Sequence, residues 1–122
     1  MGYELKIIRQ FSAAHSLRGY KGKCEELHGH NWKVELVVSK EKLNSLGMVV
    51  DFKNLKKKLN SILSQLDHRY LNKIDYFKKI NPTSENIARY IFEKLKEKNI
   101  SYKIKEVVVW ESEDASASFK EE

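Results

Sequence analysis

The most informative segment of this 122-residue sequence is Cys24-Glu-Glu-Leu-His28-Gly-His30-Asn-Trp32-Lys-Val34-Glu-Leu36-Val-Val38, in which candidate metal ligands lead directly into an alternating strand. Residues two apart in an extended strand project from the same face, so His28 and His30 are predicted to point the same way. Both are in phase with the apolar positions from Trp32 to Val38, which predicts that the pair continues a buried face. The segment therefore predicts half of a metal site.

A third histidine completes a candidate ligand set. His15 ends the run Phe11-Ser-Ala-Ala-His15, which follows an alternating strand pattern. Two neighbouring strands would bring its imidazole to His28 and His30, and three imidazoles suit zinc. Cys24 leaves two interpretations open. As a fourth ligand it would close the site and make the metal structural, whereas as a free thiol beside a cation it would serve as a base or nucleophile.

The length, the apolar runs and the cysteine count of the chain restrict the class of protein to which it can belong. Its length predicts one domain that spans residues 1–122. No apolar run approaches the roughly 18 residues of a membrane span, and no secretory signal pattern is present, so we expect a cytoplasmic protein with no membrane partner. Cys24 is the single cysteine, which excludes an intrachain disulfide and agrees with a reducing compartment.

The formal net charge of +6 suits an anionic partner but does not identify it. The lysine runs at 56–58 and 94–98 lie where amphipathic helices need solvated faces. We therefore expect no dedicated nucleic-acid surface, and the charge alone does not choose between an anionic surface and a polyanionic small substrate.

Period-two alternation predicts four strands. The first alternates over residues 3–11 and is predicted to end near His15; the others run from His30 onward, over 102–110 and over 115–119. The second and third strands are separated by two segments with helical spacing. The predicted order is ββααββ, a four-stranded antiparallel sheet with two helices on one face, which is an α+β architecture.

The two helices carry recognisable start signals. Asp51 is placed to cap the first helix, which is predicted to end at residues 67–68. Pro82 opens the second helix, and Thr83 or Ser84 is the predicted cap.

Two further polar features have both a structural and a functional interpretation. Asp67-His68 is either a charge pair at a helix C-terminus or a carboxylate that orients an imidazole for proton transfer. Glu111 follows a buried strand and is either a solvated strand-end group or an acceptor for paired N–H donors of a planar heterocycle.

Taken together, six motifs resemble one family, the 6-pyruvoyltetrahydropterin synthase and 6-carboxytetrahydropterin synthase family. The motifs occur in family order from the first strand to Glu111. They are Phe11-Ser-Ala-Ala-His15, Cys24-x3-His28-Gly-His30, Gly47-Met-Val-Val-Asp51-Phe52, Leu66-Asp67-His68-Arg-Tyr-Leu-Asn72, Asn81-Pro82-Thr83-Ser84-Glu85-Asn86 and Glu111. The resemblance implies the tunnelling fold (T-fold), with subunit sheets joined into a barrel, trimers stacked into a homohexamer and sites at subunit interfaces.

The resemblance also implies a zinc-dependent lyase that acts on 7,8-dihydroneopterin triphosphate. By this carry-over His15, His28 and His30 bind Zn²⁺, and Cys24 is the catalytic base. The positive charge then has a candidate partner, because a triphosphate is strongly anionic.

The remaining motif residues receive roles by the same carry-over. Asp67 and His68, expected from a neighbouring subunit, complete a proton relay with the thiol. Glu111 holds the pterin ring through its amino and ring nitrogens, and Thr83 and Ser84 are assigned to substrate binding.

The product branch depends on two adjacent residues. The three-residue gap between Cys24 and His28 resembles the branch that makes 6-carboxy-5,6,7,8-tetrahydropterin, with release of acetaldehyde and triphosphate, for queuosine-type deazapurine synthesis. Glu25 matches the position of the catalytic glutamate in the 6-hydroxymethyldihydropterin branch, so a dual-function enzyme stays open, as does a 6-pyruvoyltetrahydropterin product. An alternative of a different class is a non-catalytic module with a closed structural zinc site that binds RNA.

Overall fold

The computed structural model describes residues 1–21 and 26–121. Its strands are β1 (Tyr3–His15), β2 (His28–Lys40), β3 (Lys103–Ser112) and β4 (Ala115–Lys120), and its α-helices are α1 (Phe52–Leu63) and α2 (Ser84–Lys96). Two single 3-10 turns, Leu71–Lys73 and Asp75–Phe77, lie between the helices. The order ββααββ and the α+β class predicted from the sequence are confirmed.

Throughout the described ranges the strands form one antiparallel sheet in the order β1-β2-β3-β4. β1 and β2 pair without interruption from Tyr3 opposite Lys40 to His15 opposite His28. Paired residues project from the same face of a sheet. This register therefore places His15 beside His28, with His30 one step further along the same face.

The core lies between that face of the sheet and the two helices. Trp32, Val34 and Leu36 are fully buried in β2, and Phe11 of β1 stacks on Trp32 with ring centroids 5.9 Å apart. The alternation that predicted the strands thus continues into the histidines, which extend the apolar face beyond the helices. None of the helices in the described part of the chain is long and apolar enough to span a bilayer.

β1 runs to His15, so the predicted end near the first histidine is confirmed. The end of the first helix differs from the sequence prediction. α1 ends at Leu63, and the predicted end at Asp67-His68 is wrong. Leu66 keeps the helical spacing and is fully buried, but it is reached through tight turns. The chain leaves the helix there because the His68 backbone N–H donates to the carbonyl of Ser12, which ties this segment to the free edge of β1.

Candidate metal site

Three histidines and one glutamate meet at the end of the core face. One ligand atom from each of His15, His28, His30 and Glu111 lies within 4.8 Å of the others. The Nε2 atoms of His15 and His28 are 3.1 Å apart. Glu111 Oε1 lies 3.1 Å from His30 Nε2 and 3.3 Å from His15 Nε2. The three histidines predicted from the sequence are therefore brought together by the β1–β2 register.

Backbone carbonyls set the tautomers of two of these rings. His15 Nδ1 lies 2.8 Å from the Pro82 carbonyl oxygen, and His28 Nδ1 lies 2.9 Å from that of Glu26. A carbonyl can only accept, so Nδ1 is the donor in each contact, and the tautomer with its proton on Nδ1 directs the lone pair of Nε2 into the cluster. Two lone pairs 3.1 Å apart repel each other, and a cation between them removes that repulsion.

The distances fit a metal of zinc's size. Donor atoms bound at ~2.0–2.1 Å to a tetrahedral zinc ion lie about 3.3 Å from one another. The separations of 3.1, 3.1 and 3.3 Å between cluster atoms are close to that value. The Nδ1–H to carbonyl bonds of His15 and His28 are the outer contacts that orient metal-binding imidazoles. The donor set therefore fits zinc in its chemistry, and three of its separations are close to the tetrahedral value within a group that spans 4.8 Å.

Trp32 forms a rigid apolar floor beneath the cluster. Its ring centroid lies 4.9 Å from that of His15 and 5.1 Å from that of His30, both in edge-on contact. The buried indole N–H donates to the Ala13 carbonyl at 3.2 Å, which locks the indole in place. His15 itself is only 2% exposed. This packing restricts the rotamers of the ligands and lowers the cost of organising a metal site.

A hydrogen-bonded clamp holds the segment after His15 against the segment before α2. The side chain of Asn72 accepts the backbone N–H of Ser16 at 2.9 Å and donates to its carbonyl at 2.8 Å. Asn81 pairs with the backbone of Arg18 in the same way, at 2.8 and 3.0 Å. The clamp fixes the Pro82 carbonyl opposite His15, so that residues far apart in sequence position one ligand.

Asp67 and His68 form a separate pair. Asp67 Oδ2 lies 3.0 Å from His68 Nδ1, and Asp67 Oδ1 accepts the Ser12 backbone N–H at 2.9 Å. The Ser12 amide and the His68 ring hold the pKa of the Asp67 carboxyl below its usual value. The His68 side chain is 82% exposed. The backbone of His68 has φ +58°, the left-handed region that a residue other than glycine enters at a cost.

This pair lies against the edge of β1, where both residues bond to Ser12. With Ser12, Gly29, His30 and Asn31, His68 lines a cavity of about 490 Å³. Ser12 and Asn31 are paired residues that alternate with the core positions, so they lie on the face opposite to the histidine side chains. Within one chain the structure does not bring Asp67 and His68 into the metal cluster.

Comparison with known proteins identifies the family. The family model described as 6-pyruvoyl tetrahydropterin synthase matches residues 4–122. The chain belongs to this family. Its match to nearly the whole chain agrees with the motif order found in the sequence.

Two relatives of the 6-pyruvoyl tetrahydropterin synthase family are informative about activity. A protein of Archaeoglobus fulgidus with the provisional name 6-carboxy-5,6,7,8-tetrahydropterin synthase is 43% identical over 114 residues, which cover 93% of this chain and 92% of that protein. The dihydroneopterin monophosphate aldolase of Pyrococcus furiosus is 42% identical over 106 residues, 85% of each chain. The relatives therefore carry the names of two different pterin activities.

A solved structure confirms the fold. The 6-pyruvoyl tetrahydropterin synthase of Caenorhabditis elegans superimposes with a TM-score of 0.86 at 30% sequence identity, over 100% of this chain and 97% of that one. The four-stranded sheet with two helices is thus the tunnelling fold of this pterin synthase family, as the sequence predicted.

The other motif residues have the following positions. Thr83 is the N-cap of α2, and its Oγ1 accepts the Asn86 backbone N–H at 3.1 Å, so the cap prediction is confirmed for Thr83. Ser84 is the first residue of α2. Their part in substrate binding stays a prediction. Cys24 and Glu25 lie outside the described residues, and the roles predicted for them stay predictions.

The sequence predictions missed two contributors to the metal cluster. The first is the Pro82 carbonyl, a backbone group that no residue pattern reports. The second is Glu111, which was expected to bind a heterocycle and lies against His15 and His30. A signal for Glu111 was available, because it alternates in phase with the buried Val107 and Val109 and therefore shares their face.

Proposed function

We propose that this protein is a zinc-dependent lyase that converts 7,8-dihydroneopterin triphosphate to 6-carboxy-5,6,7,8-tetrahydropterin, releasing acetaldehyde and triphosphate. The observation that carries the proposal is the convergence of three histidines, two of them with Nε2 turned inward by carbonyl partners. The name of the Archaeoglobus relative and the three-residue spacing from Cys24 to His28 support the carboxy product. The proposal assigns the chain one catalytic domain, residues 1–122, in a cytoplasmic deazapurine pathway.

Zinc binding, proton abstraction and pterin binding would be carried out by different residues of the chain. His15, His28 and His30 would hold the zinc, which when bound supplies Lewis-acid polarisation of the substrate's side-chain oxygens. Cys24 would take a proton from the adjacent carbon as its base. Glu111 would accept the paired N–H donors of the pterin ring, a charge-assisted bidentate contact.

Thr83 and Ser84 are proposed to bind the substrate at the start of α2. The N-terminus of a helix favours negative charge and presents unpaired N–H donors, which suits an anionic substrate. The Thr83 hydroxyl keeps its lone pairs available beyond the one used for the cap.

Asp67 and His68 are proposed to serve the site of a neighbouring subunit. Both residues lie outside the cluster of His15, His28, His30 and Glu111 in their own chain, which supports this arrangement, as does the exposure of the His68 ring. The proposed assembly is a homohexamer made of two trimers, which light scattering on the purified protein would measure directly.

A mixing experiment tests the shared site. Cys24→Ala and His68→Ala should each be inactive, but subunits dissociated, mixed in equal amounts and reassembled should recover about a quarter of wild-type activity, because sites with both native groups form by chance. A site built within one chain would recover nothing, and that result would refute the shared relay.

A second candidate function has its own support. The Pyrococcus relative is named for an aldolase activity on dihydroneopterin monophosphate. A retro-aldol cleavage between the first and second carbons of the side chain would leave 6-hydroxymethyldihydropterin and release the other two carbons as a phosphorylated aldehyde. Glu25 would be the base that takes the hydroxyl proton. Chromatography of the products made from the triphosphate and from the monophosphate decides between the two, and a 6-pyruvoyltetrahydropterin product would appear in the same assay.

Two variants separate the candidates at the level of residues. Cys24→Ala should abolish the carboxy product, and Glu25→Gln should abolish 6-hydroxymethyldihydropterin only if the enzyme has both functions. If Glu25→Gln leaves every product unchanged, the dual function is refuted.

The primary experiment measures zinc and products together. Purified protein should carry about one zinc per chain and lose activity when a chelator removes it. Cys24→Ala should keep its zinc and its fold. Loss of both zinc and stability in Cys24→Ala would instead favour the closed structural site of an RNA-binding module.

A further inference from the structure

The guanidinium of Arg18 holds three backbone carbonyls of one distant segment. This segment, residues 71–82, contains both 3-10 turns and leads into α2; it is called the turn segment below. Arg18 Nη2 donates to the carbonyl oxygens of Phe77 at 2.6 Å and Asn72 at 3.1 Å, and Nη1 donates to that of Ile80 at 3.2 Å. A planar guanidinium presents several donors in a fixed fork, so one side chain can hold carbonyls that come from different turns.

These three carbonyls differ from those that the turns use for their own closure. The backbone bonds that close the turns are accepted by the carbonyls of Tyr70, Leu71, Ile74 and Asp75. A backbone carbonyl that is shielded from water without a partner costs free energy, and short turns leave such carbonyls at their ends. Arg18 therefore supplies donors that the turn segment does not supply for itself.

The turn segment ends at the carbonyl that orients His15. Ile80 lies two residues before Pro82, whose carbonyl oxygen is 2.8 Å from His15 Nδ1. The backbone of Arg18 adds a second connection, because the side chain of Asn81 accepts its N–H and donates to its carbonyl. Pro82 is buried and its ring fixes φ, so the placement of the segment largely sets the direction of its carbonyl.

We propose that Arg18 is a positioning residue for the metal site. Its guanidinium fixes the turn segment, the segment fixes the Pro82 carbonyl, and that carbonyl fixes the ring of His15. The inference rests on the proposed function, since His15 is a ligand of the proposed zinc ion. The fork is the essential feature, because a lysine has the same charge but a single nitrogen that cannot reach carbonyls in three places.

Proton exchange at His15 Nδ1 gives the direct test. Protein with isotope-labelled histidine is prepared as wild type, Arg18→Met and Arg18→Lys, and NMR measures how fast each Nδ1 proton exchanges with water. The His15 proton should exchange slowly in wild type and about 10-fold faster in both variants, since loss of one hydrogen bond changes a local opening equilibrium by about that factor. His28 donates its Nδ1 proton to Glu26, outside the turn segment, so its exchange rate should not change.

Zinc affinity gives a second readout with a matched control. Lys78 lies in the turn segment and pairs with Asp75 at 2.8 Å, so Lys78→Met removes a positive charge from this segment but no contact with the three carbonyls. Loss of an outer partner of a metal ligand weakens binding by roughly 10–100-fold, and Arg18 acts one step further out, so Arg18→Met should weaken zinc binding by about 10-fold. Lys78→Met should match wild type in competition with a chromophoric chelator.

The outcomes separate this inference from the proposed lyase function. Wild-type exchange at His15 in folded Arg18→Met or Arg18→Lys would overturn the role of the fork, and thermal unfolding checks that each variant is folded. If Arg18→Met does not fold, Arg18→Lys decides by the same measurement. A His15 proton without protection in wild type, or weaker zinc binding without faster exchange at His15, would also overturn it. Wild-type protein that binds no zinc refutes the lyase proposal, whereas the exchange comparison on metal-free protein still decides the role of Arg18.

Discussion

Replacement of Asn72 by alanine should destabilise the protein far more than the same change at Asn81. Both asparagines hold one residue's backbone by donating to its carbonyl and accepting its N–H. Asn72 does so at Ser16 with bonds of 2.8 and 2.9 Å, and Asn81 does so at Arg18 with bonds of 3.0 and 2.8 Å. The two sites therefore differ mainly in burial.

The expected magnitudes follow from that difference. Asn72 is 8% exposed, and both of its bonds to Ser16 are buried. Alanine leaves the buried N–H and carbonyl of Ser16 without hydrogen-bond partners, at a cost of about 1–3 kcal/mol for each group. Water that enters the site reduces part of this cost. Asn72→Ala should therefore lower the free energy of unfolding by about 2–4 kcal/mol. Asn81 is half-buried and water can replace its amide, so Asn81→Ala should cost about 0.5–1.5 kcal/mol.

Urea unfolding followed by tryptophan fluorescence measures both values, at one protein concentration and one zinc concentration, because assembly and metal binding shift apparent stability. Zinc affinity should also fall in Asn72→Ala, since Ser16 follows His15 directly. A cost for Asn72→Ala no larger than that for Asn81→Ala would refute the assignment of the clamp as a buried backbone lock.

The remaining predictions concern capping, alkaline pH and metal removal. Thr83→Ala should lower the free energy of unfolding by about 1 kcal/mol through loss of the α2 cap, whereas Ser84→Ala should leave stability nearly unchanged, as urea unfolding would show. Burial raises the pKa values of Tyr76, Tyr90 and Tyr102 above 10, so the folded state holds protons that the unfolded chain releases. Stability should therefore fall as pH rises above about 10, and absorbance near 295 nm should show late ionisation of these phenols. Removal of zinc by a chelator should lower the melting temperature, and added zinc should restore it; an unchanged melting temperature would contradict a metal held only in the folded state.

Much of the fold could be predicted from the sequence because hydrophobic alternation is a local property. Ile7 and Phe11 in β1, and Trp32 and Leu36 in β2, are buried at the period that the sequence showed. The Asp51 and Thr83 caps could be predicted for the same reason, since a cap bonds to a backbone group two or three residues away. The end of α1 could not be predicted, because Leu66 continues the helical spacing although the chain has already left the helix. It does so to place the His68 backbone N–H against the Ser12 carbonyl.

The candidate site divides in a similar way. The ligand types and the shared face of His28 and His30 follow from sequence spacing alone, because strand geometry is fixed by the backbone. The face on which Glu111 lies follows from its alternation with Val107 and Val109, but its approach to the histidines depends on the pairing of β3 with β2. The orientation of His15 depends on a carbonyl 67 residues away, which has no local signature.

The sequence thus contains the identity of the candidate zinc ligands, the order of elements and the family. The tertiary structure alone decides that His15 stands opposite His28, that Glu111 approaches the same cluster, and that Asp67 and His68 lie outside it against the edge of β1. The physical reason is that side-chain direction is set within a few residues, whereas the meeting of side chains is set by strand register and by hydrogen bonds between distant segments.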